Sequence, residues 1–355
     1  MLFVPGTPFM FRPAYHPERL MAFLDTIMWP FSWAVSFILS FFHSVLSMLG
    51  MPEGSGWNWT ISIMLLVLVI RIILIPLFVR QIKSQRGMQI IQPEIQKLQA
   101  KYKGKKDPVS RQQMASEQQA LFKKHKVNPF MTCLPILAQM PIFFALFWML
   151  SRIGGGGGFG ARGDSDRYQT EGYYSLSPGE VLSFANSEIF GVGLSDIFLP
   201  AFNEDPTQWN VVVLAAVMIV MMVGTQFFTQ KQLMSKNMSE SALQGQFAQT
   251  QKMMLYVLPL VFVIGGVNFP VGVLIYWTAT NFWTMGQQWW VIRNNPTPGS
   301  LAEKELNLRR AAKGMPPIGE EARKAREQAQ KPTGEHRGNA AQPKKKKKKK
   351  KKGRR

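Results

Sequence analysis

"LLVLVIRIILIPLFV", residues 65–79, is an apolar run with a single charge, Arg71, near its middle. Runs of this kind decide the fold class. A helix needs roughly 20 apolar residues to cross a bilayer. The longer stretch Thr60–Arg80 supplies them, and Phe130–Leu150 and Trp209–Gln230 do the same. A compact pair follows, over Lys252–Val267 and Asn268–Ile292. The mean hydropathy of −0.04 hides this, because a very apolar middle is averaged with a very polar tail. The chain has 355 residues, a net charge of +21 and 46 % hydrophobic residues. It reads as an all-α integral membrane protein with a five-helix core, a helical hairpin on the cytoplasmic side and a disordered basic tail.

Loop charge sets the orientation. From Arg80 to Pro129 there are twelve Lys/Arg against three acids, Glu94, Asp107 and Glu117. Ser151–Gln208 has three Arg against eight acids. Lys and Arg concentrate in cytoplasmic loops. Residues 81–129, the loop 231–251 and the tail 293–355 are therefore expected inside, and the Gly-rich acidic loop 151–208 outside. Trp57 and Trp59 before the first span, Trp209 at the third and Trp289–Trp290 after the last fit interfacial aromatic belts. The spans are drawn at 60–80, 130–150, 209–230, 252–267 and 268–292. Residues 1–20 carry four prolines and read as a flexible segment without a secretory signal, and a true start at Met21 stays open. In 21–59, Ser32, Ser36, Ser40, Ser44 and Ser47 recur at helical spacing. An amphipathic helix along the outer interface is favoured there, with a sixth span as the other reading.

The insert 81–129 is expected to be a helical hairpin. Met88, Ile91, Ile95, Leu98 and Tyr102 are spaced 3, 4, 3, 4, Pro93 restarts the arm after Gln92, and "GKKDP" (104–108) is the turn. The glycines of "GGGGGFGARGDSDR" (154–167) point to a flexible external loop. The tail closes with Lys344, Lys345, Lys346, Lys347, Lys348, Lys349, Lys350, Lys351 and Lys352, then Gly353, Arg354 and Arg355. Such a run cannot fold on itself, but it binds polyanions by counterion release. Ribosomal RNA and anionic lipids compete as its targets.

No catalytic constellation stands out. The four histidines are scattered, the only cysteine is Cys133, and no Asp or Glu lies in a span. The reading is a non-enzyme with no cofactor and no metal. The intramembrane polar set is what remains: Arg71 in the first span, Gln139 in the second, Thr225 and Gln226 in the third, and Thr278, Thr280 and Asn281 in the last. A central arginine costs about 2.5–3.5 kcal/mol on insertion scales. The eight residues from Arg71 to Val79 span about 12 Å, so snorkelling barely reaches the headgroups. Either neighbouring carbonyls neutralise Arg71, or it faces a wet, positively charged cavity open to the cytoplasm. The second is favoured. Met253–Val267, about 22 Å as a helix, is short for a span and would thin the bilayer nearby.

Four blocks in order carry a family resemblance: "LVLVIRIILIPLFVRQIKS", "MQIIQPEIQKLQAKY", "VNPFMTCLPILAQMPIFFALF" and "FPVGVLIYWTATN". Over about residues 25–292 the chain resembles the YidC-type membrane protein insertases, in the short form without a large extracytoplasmic domain. The resemblance implies a five-helix core around a hydrophilic groove, in a bacterial cell membrane, with the helix before the first core span lying along the outer interface. Arg71 matches the groove arginine, Gln139 and Phe143 match second-span positions, and Tyr276 and Trp277 match the aromatic pair of the last span. Thr225, Gln226 and Thr229 are third-span groove candidates, with Asn281 beside them. The implied partners are nascent membrane proteins and, through the tail, the translating ribosome, with the Sec translocon a further candidate. A polar-solute transporter and a passive membrane tether for ribosomes are the rival classes.

Overall fold

A computed structural model describes residues 17–105, 107–132, 134–154, 165–240, 242–243 and 245–319. The lysine run with Arg354 and Arg355, Cys133 and most of the Gly-rich stretch lie outside them. The chain divides into two units, residues 1–306 and 307–355.

The run around Arg71 forms helix α2, Gly56–Ile73, which passes through Leu74 into α3, Ile75–Ile90. Pro76 lies in the first turn of α3, where its missing N–H costs nothing. The first span therefore runs on, one break aside, into the first arm of the hairpin. A second break at Ile91 starts α4, Gln92–Lys101, with Pro93 again in the first turn. The restart falls one residue before the position that Pro93 suggests. Helix α5, Pro108–Lys124, returns from the turn, and the Asp107 carboxylate caps it by accepting from the Ser110 amide at 2.7 Å. Ile91, Ile95 and Tyr102 of the seam are buried. Glu117 accepts from Lys101 at 2.6 Å and from Tyr102 at 2.8 Å, which ties the two arms near the tip. At the base, Ser84 donates to Asn128 O at 2.7 Å.

Four long helices then form the rest of the bundle: α6 (Leu134–Ile153), α10 (Trp209–Asn237), α11 (Gly245–Gly266) and α12 (Val271–Asn294). Helix α12 is the centre, in contact with α2, α6 and α10, and α11 packs on α10. By length and composition, four stretches among the described residues qualify to cross a membrane: Asp25–Met48, Gly56–Ile73, Trp209–Asn237 and Ala248–Gly266. The apolar part of α6, Leu137–Ile153, is shorter. Helix α12 falls outside this set, since Thr278, Thr280, Asn281, Gln287 and Gln288 dilute its apolar residues. Helix α11 has 22 residues, and its part apolar enough to cross a membrane, Ala248–Gly266, has 19, about 28 Å, against about 22 Å for Met253–Val267.

Helix α1, Pro17–Met48, packs on α2 and α6. Several of its polar partners come from the end of α6, the start of α2 and the segment 175–180. Asp25 pairs with Arg152 in the last turn of α6 at 2.6 Å. Ser36 accepts from the Ser175 amide at 3.2 Å, and Ser40 donates to Glu180 at 2.5 Å. His43 stacks on Trp59 at 3.8 Å, and Ser47 accepts from Asn58 at 2.9 Å. From Asp25 to Ser47 the helix covers about 33 Å, and these partners follow it along that length. Ser32 and Ser36 face inward, while Trp33, Phe37 and Phe41 are exposed.

The acidic stretch is folded, not loose, from Ser165 onward. Two short helices, α7 (Ser165–Glu171) and α8 (Pro178–Ala185), precede a two-stranded hairpin, β1 (Glu188–Ile189) and β2 (Val192–Gly193), and then α9 (Phe198–Asn203). Tyr173, Val181, Phe184, Val192 and Leu194 join the main core. The backbone of this layer also caps α12: Val271 N–H donates to Asp196 O at 2.9 Å and Gly272 N–H to Leu194 O at 2.7 Å. These satisfy amides that a helix start leaves open. Trp59 is fully buried here, wedged between His43 and Phe184, so it is a core residue and not part of a belt. Trp57, Trp209, Trp289 and Trp290 are exposed.

The tail is ordered at its root. Arg86 of α3 donates to the carbonyls of Asn295 and Pro296, and Thr297 N–H donates to Asn237 at 2.9 Å. Helix α13, Leu301–Ala311, follows. In the second unit Asn307 and Ile318 exchange two hydrogen bonds, of 2.9 and 3.2 Å.

Candidate functional site

Arg71 lies in the last turn of α2, one turn before the break at Leu74. It is 7 % exposed. Its guanidinium carbon stands 5.2 Å from the centre of the Phe78 ring, contributed by α3. Its Nε has no hydrogen-bond partner. Among the described residues no carboxylate pairs with it. A buried charge left unpaired is costly. The side chain therefore needs either water or a ligand, and it has room for both. It borders a cavity of about 760 Å³ whose walls come from α2, α3, α6, α10, α11 and α12.

The wall has two characters. A polar band gathers Arg71, Gln139, Gln226, Tyr276, Thr280, Asn281 and Thr284. Within it Gln139 donates its amide to the Tyr276 hydroxyl. Asn281 donates to Met222 O at 3.0 Å, which pins α12 to α10. The Thr280 hydroxyl has no partner, and Thr284 donates back to Thr280 O at 2.8 Å. The remaining twelve of nineteen lining residues are apolar, and eight of them carry aromatic rings: Phe78 of α3, Phe143, Phe144, Phe147 and Trp148 of α6, Phe262 of α11, Phe269 of the turn that follows, and Trp277 of α12. Phe143 lies edge-on to Trp277 at 5.0 Å and to Phe269 at 5.4 Å; Phe262 meets Trp277 at 4.9 Å. The cavity is thus amphipathic, with more apolar wall than a hydrophilic groove alone would need.

Of the nine residues predicted for the site, Arg71, Gln139, Phe143, Gln226, Tyr276, Trp277 and Asn281 line this cavity. Thr225 and Thr229 do not. Their hydroxyls donate to carbonyls of their own helix, Thr225 to Met221 O at 2.7 Å and Thr229 to Thr225 O at 2.8 Å. That is the local bond a threonine makes when its helix turns it from a polar partner. The sequence reading did not select Phe78, Phe147, Phe262, Phe269 or Thr284. Phe78 sits two turns after Arg71, and that spacing was a usable signal. Phe147 and Thr284 stand one turn beyond Phe143 and Thr280 on α6 and α12, a second usable spacing, whereas Phe262 and Phe269 come from α11 and the turn after it, where no local pattern marks them. Among the described residues no cluster of three or more His, Cys, Asp or Glu side chains could hold a metal.

Residues 50–298 match the family model for the 60Kd inner membrane protein. The chain is 44 % identical to a membrane protein insertase YidC from Streptomyces avermitilis over 287 residues, 79 % of this chain and 62 % of that protein, so it spans less than two thirds of that relative's length. It is 39 % identical to the YidC insertase of Tropheryma whipplei over 325 residues, 90 % of this chain and 98 % of that one. The Bifidobacterium longum insertase is 34 % identical over 319 residues, 87 % and 90 % of the two chains.

Proposed function

Since the chain belongs to the 60Kd inner membrane protein family of bacterial cell-membrane proteins, we propose that it inserts nascent membrane proteins into the bilayer through the Arg71 cavity. The observation that carries this is the pairing of an unneutralised guanidinium with an aromatic wall around one space. Helices α2, α6, α10, α11 and α12 are the spans, α1 lies along the outer interface, and the hairpin and tail are cytoplasmic. A client's polar segment enters from the cytoplasmic side and meets Arg71, Gln139 and Asn281. Its apolar segment moves along Phe143 and Trp277 into lipid, where burial contributes roughly 25 cal/mol per Å². The lysine run holds a translating ribosome, with anionic lipid as the competing polyanion. No cofactor is required.

The test is crosslinking of ribosome-stalled nascent membrane proteins to photoprobes at Phe143 and Trp277, with a truncation after Gly319 in parallel. That truncation spares the docked root at Asn295–Thr297. Crosslinks at both probes are expected in the full chain, and fewer ribosomes should co-sediment with the truncated one. Absence of crosslinks at both positions would sink the insertase reading. If crosslinks are absent and only the truncation changes ribosome recovery, the chain is a tether.

A further inference from the structure

Three non-glycine residues in the described chain have positive φ: Lys126, Tyr174 and Phe190. Phe190 forms with Gly191 the two-residue turn between β1 and β2, at φ of 54° and 72°. Turns with both central residues at positive φ favour Asn-Gly, and a bulky residue there is an outlier. Folding alone does not explain the choice. Nor does packing, because the ring is 73 % exposed.

Its neighbours place it. Phe190 lies edge-on to Trp57 at 5.4 Å, and Trp57 is itself 48 % exposed. The side chain of Asn210 donates to Gly191 O, next to Trp209, which is 63 % exposed. Trp57 and Trp209 stand in the first turns of α2 and α10, two helices long and apolar enough to cross a membrane. Where the apolar surface of such helices begins is the water–lipid boundary, the zone that tryptophan favours. The turn is also held stiffly. A Cβ on Gly56 would stand 2.1 Å from Glu188 O, so β1 and the start of α2 are in close backbone contact.

We infer that Phe190, with Trp57 and Trp209, forms a rigid aromatic wedge that seats this end of the molecule in the headgroup–acyl boundary of the phospholipid bilayer. The occupant is lipid. The exposed Glu188 two residues earlier keeps the turn at headgroup level and stops deeper immersion. Strain at the turn is tolerated because a flat apolar ring is needed at that point. The inference rests on the spans proposed above and not on insertase activity.

The test places a nitroxide label at Phe190→Cys in a Cys133→Ser background, with the protein in vesicles of zwitterionic and anionic phospholipid. Collision with oxygen and with a polar nickel chelate reports depth. The oxygen-to-nickel ratio at position 190 is expected several-fold above that of a label at the exposed Glu171. A ratio equal to that at 171 would overturn the wedge. Protection from both reagents in native membranes but not in lipid vesicles would assign the ring to a protein partner, which also overturns it. A second label, at Trp209→Cys, is read with Phe190 native and with Phe190→Asn. Asparagine suits the turn, so the fold is kept, and the 209 label should move toward water. No movement would overturn the proposal. Client crosslinks at Phe143 and Trp277 are scored in the same preparations, so failure of the wedge and failure of the insertase reading are separable.

Discussion

Arg71 has two possible roles that make opposite demands. If it held the helices together, its removal would leave a partner group unpaired and cost several kcal/mol. The structure gives it no carboxylate and leaves Nε unbonded. Arg71→Ala should therefore leave thermal stability in detergent within about 1 kcal/mol of the parent, or raise it, since an uncompensated charge is lost. Insertion of a client with an acidic translocated segment should fall in the same variant. Arg71→Lys should retain more insertion than Arg71→Ala, because lysine keeps the charge and gives up only the planar fork. Equal loss in both would assign the role to hydrogen-bond geometry, and a large drop in melting temperature would assign it to structure. Arg71, Gln139 and Asn281 could be read from sequence because a polar residue in an apolar run is costly wherever it points. Thr225 and Thr229 look the same by that test. They differ because a threonine can satisfy itself on its own helix, and only coordinates tell which does.

At the scale of elements, the hairpin is the part whose stability depends on exposed charge. The Ser110 amide and hydroxyl hold the Asp107 carboxyl below the usual carboxylate range. Lys101 and then Tyr102 do the same for Glu117. A carboxyl with a depressed folded pKa binds its proton less readily folded than unfolded. Its contribution is thus complete above the unfolded pKa and is lost as pH falls through the folded value. The protection factors of amides in 92–124 should hold from neutrality down to about pH 5 and fall below the ordinary carboxylate range near 4. Asp107→Asn should flatten part of that drop and leave the core amides of α12 unchanged. An unchanged profile in the variant would mean that the cap does not control the arm. The 3, 4 spacing of Met88–Tyr102 made this hairpin legible in advance. The break at Ile91 and the continuity of α2 into α3 were less so, since proline tolerates the first turn of a helix and does not say on which side of itself a helix ends.

For the whole molecule, the decisive joint is between the membrane bundle and the layer made of residues 165–208. Glycines mark it. Gly56 meets Glu188 O, and a Cβ on Gly272 would lie 3.0 Å from Leu150 and 3.2 Å from Leu194 O. Gly56→Ala should lower stability by about 1–3 kcal/mol, the usual cost of forcing packed backbone apart. Gly286→Ala is the matched control. Nothing lies within 4 Å of its Cβ, and alanine is the better helix former, so its melting temperature should be unchanged or higher. Equal effects of the two would show that the joint carries no tight fit. Glycine density in 154–167 suggests looseness for that stretch alone, and it says nothing of Tyr173, Phe184 or Leu194, which lie beyond it and are buried.

The elements and their chemistry are written locally in the chain. Apolar runs of spanning length, the basic and acidic loops, the hairpin seam and the polar residues inside the spans all follow from local composition and from helical period, which act over a few turns. Which faces meet is settled by long-range packing. It turned Ser32 and Ser36 of α1 inward and Trp33, Phe37 and Phe41 outward, buried Trp59 while leaving Trp57 exposed, capped α12 with the carbonyls of Leu194 and Asp196, and drew rings from four helices and one turn around a single arginine. Those outcomes depend on contacts between residues tens to hundreds of positions apart. In a helix that is apolar on every side, periodicity does not distinguish the face that meets lipid from the face that meets protein.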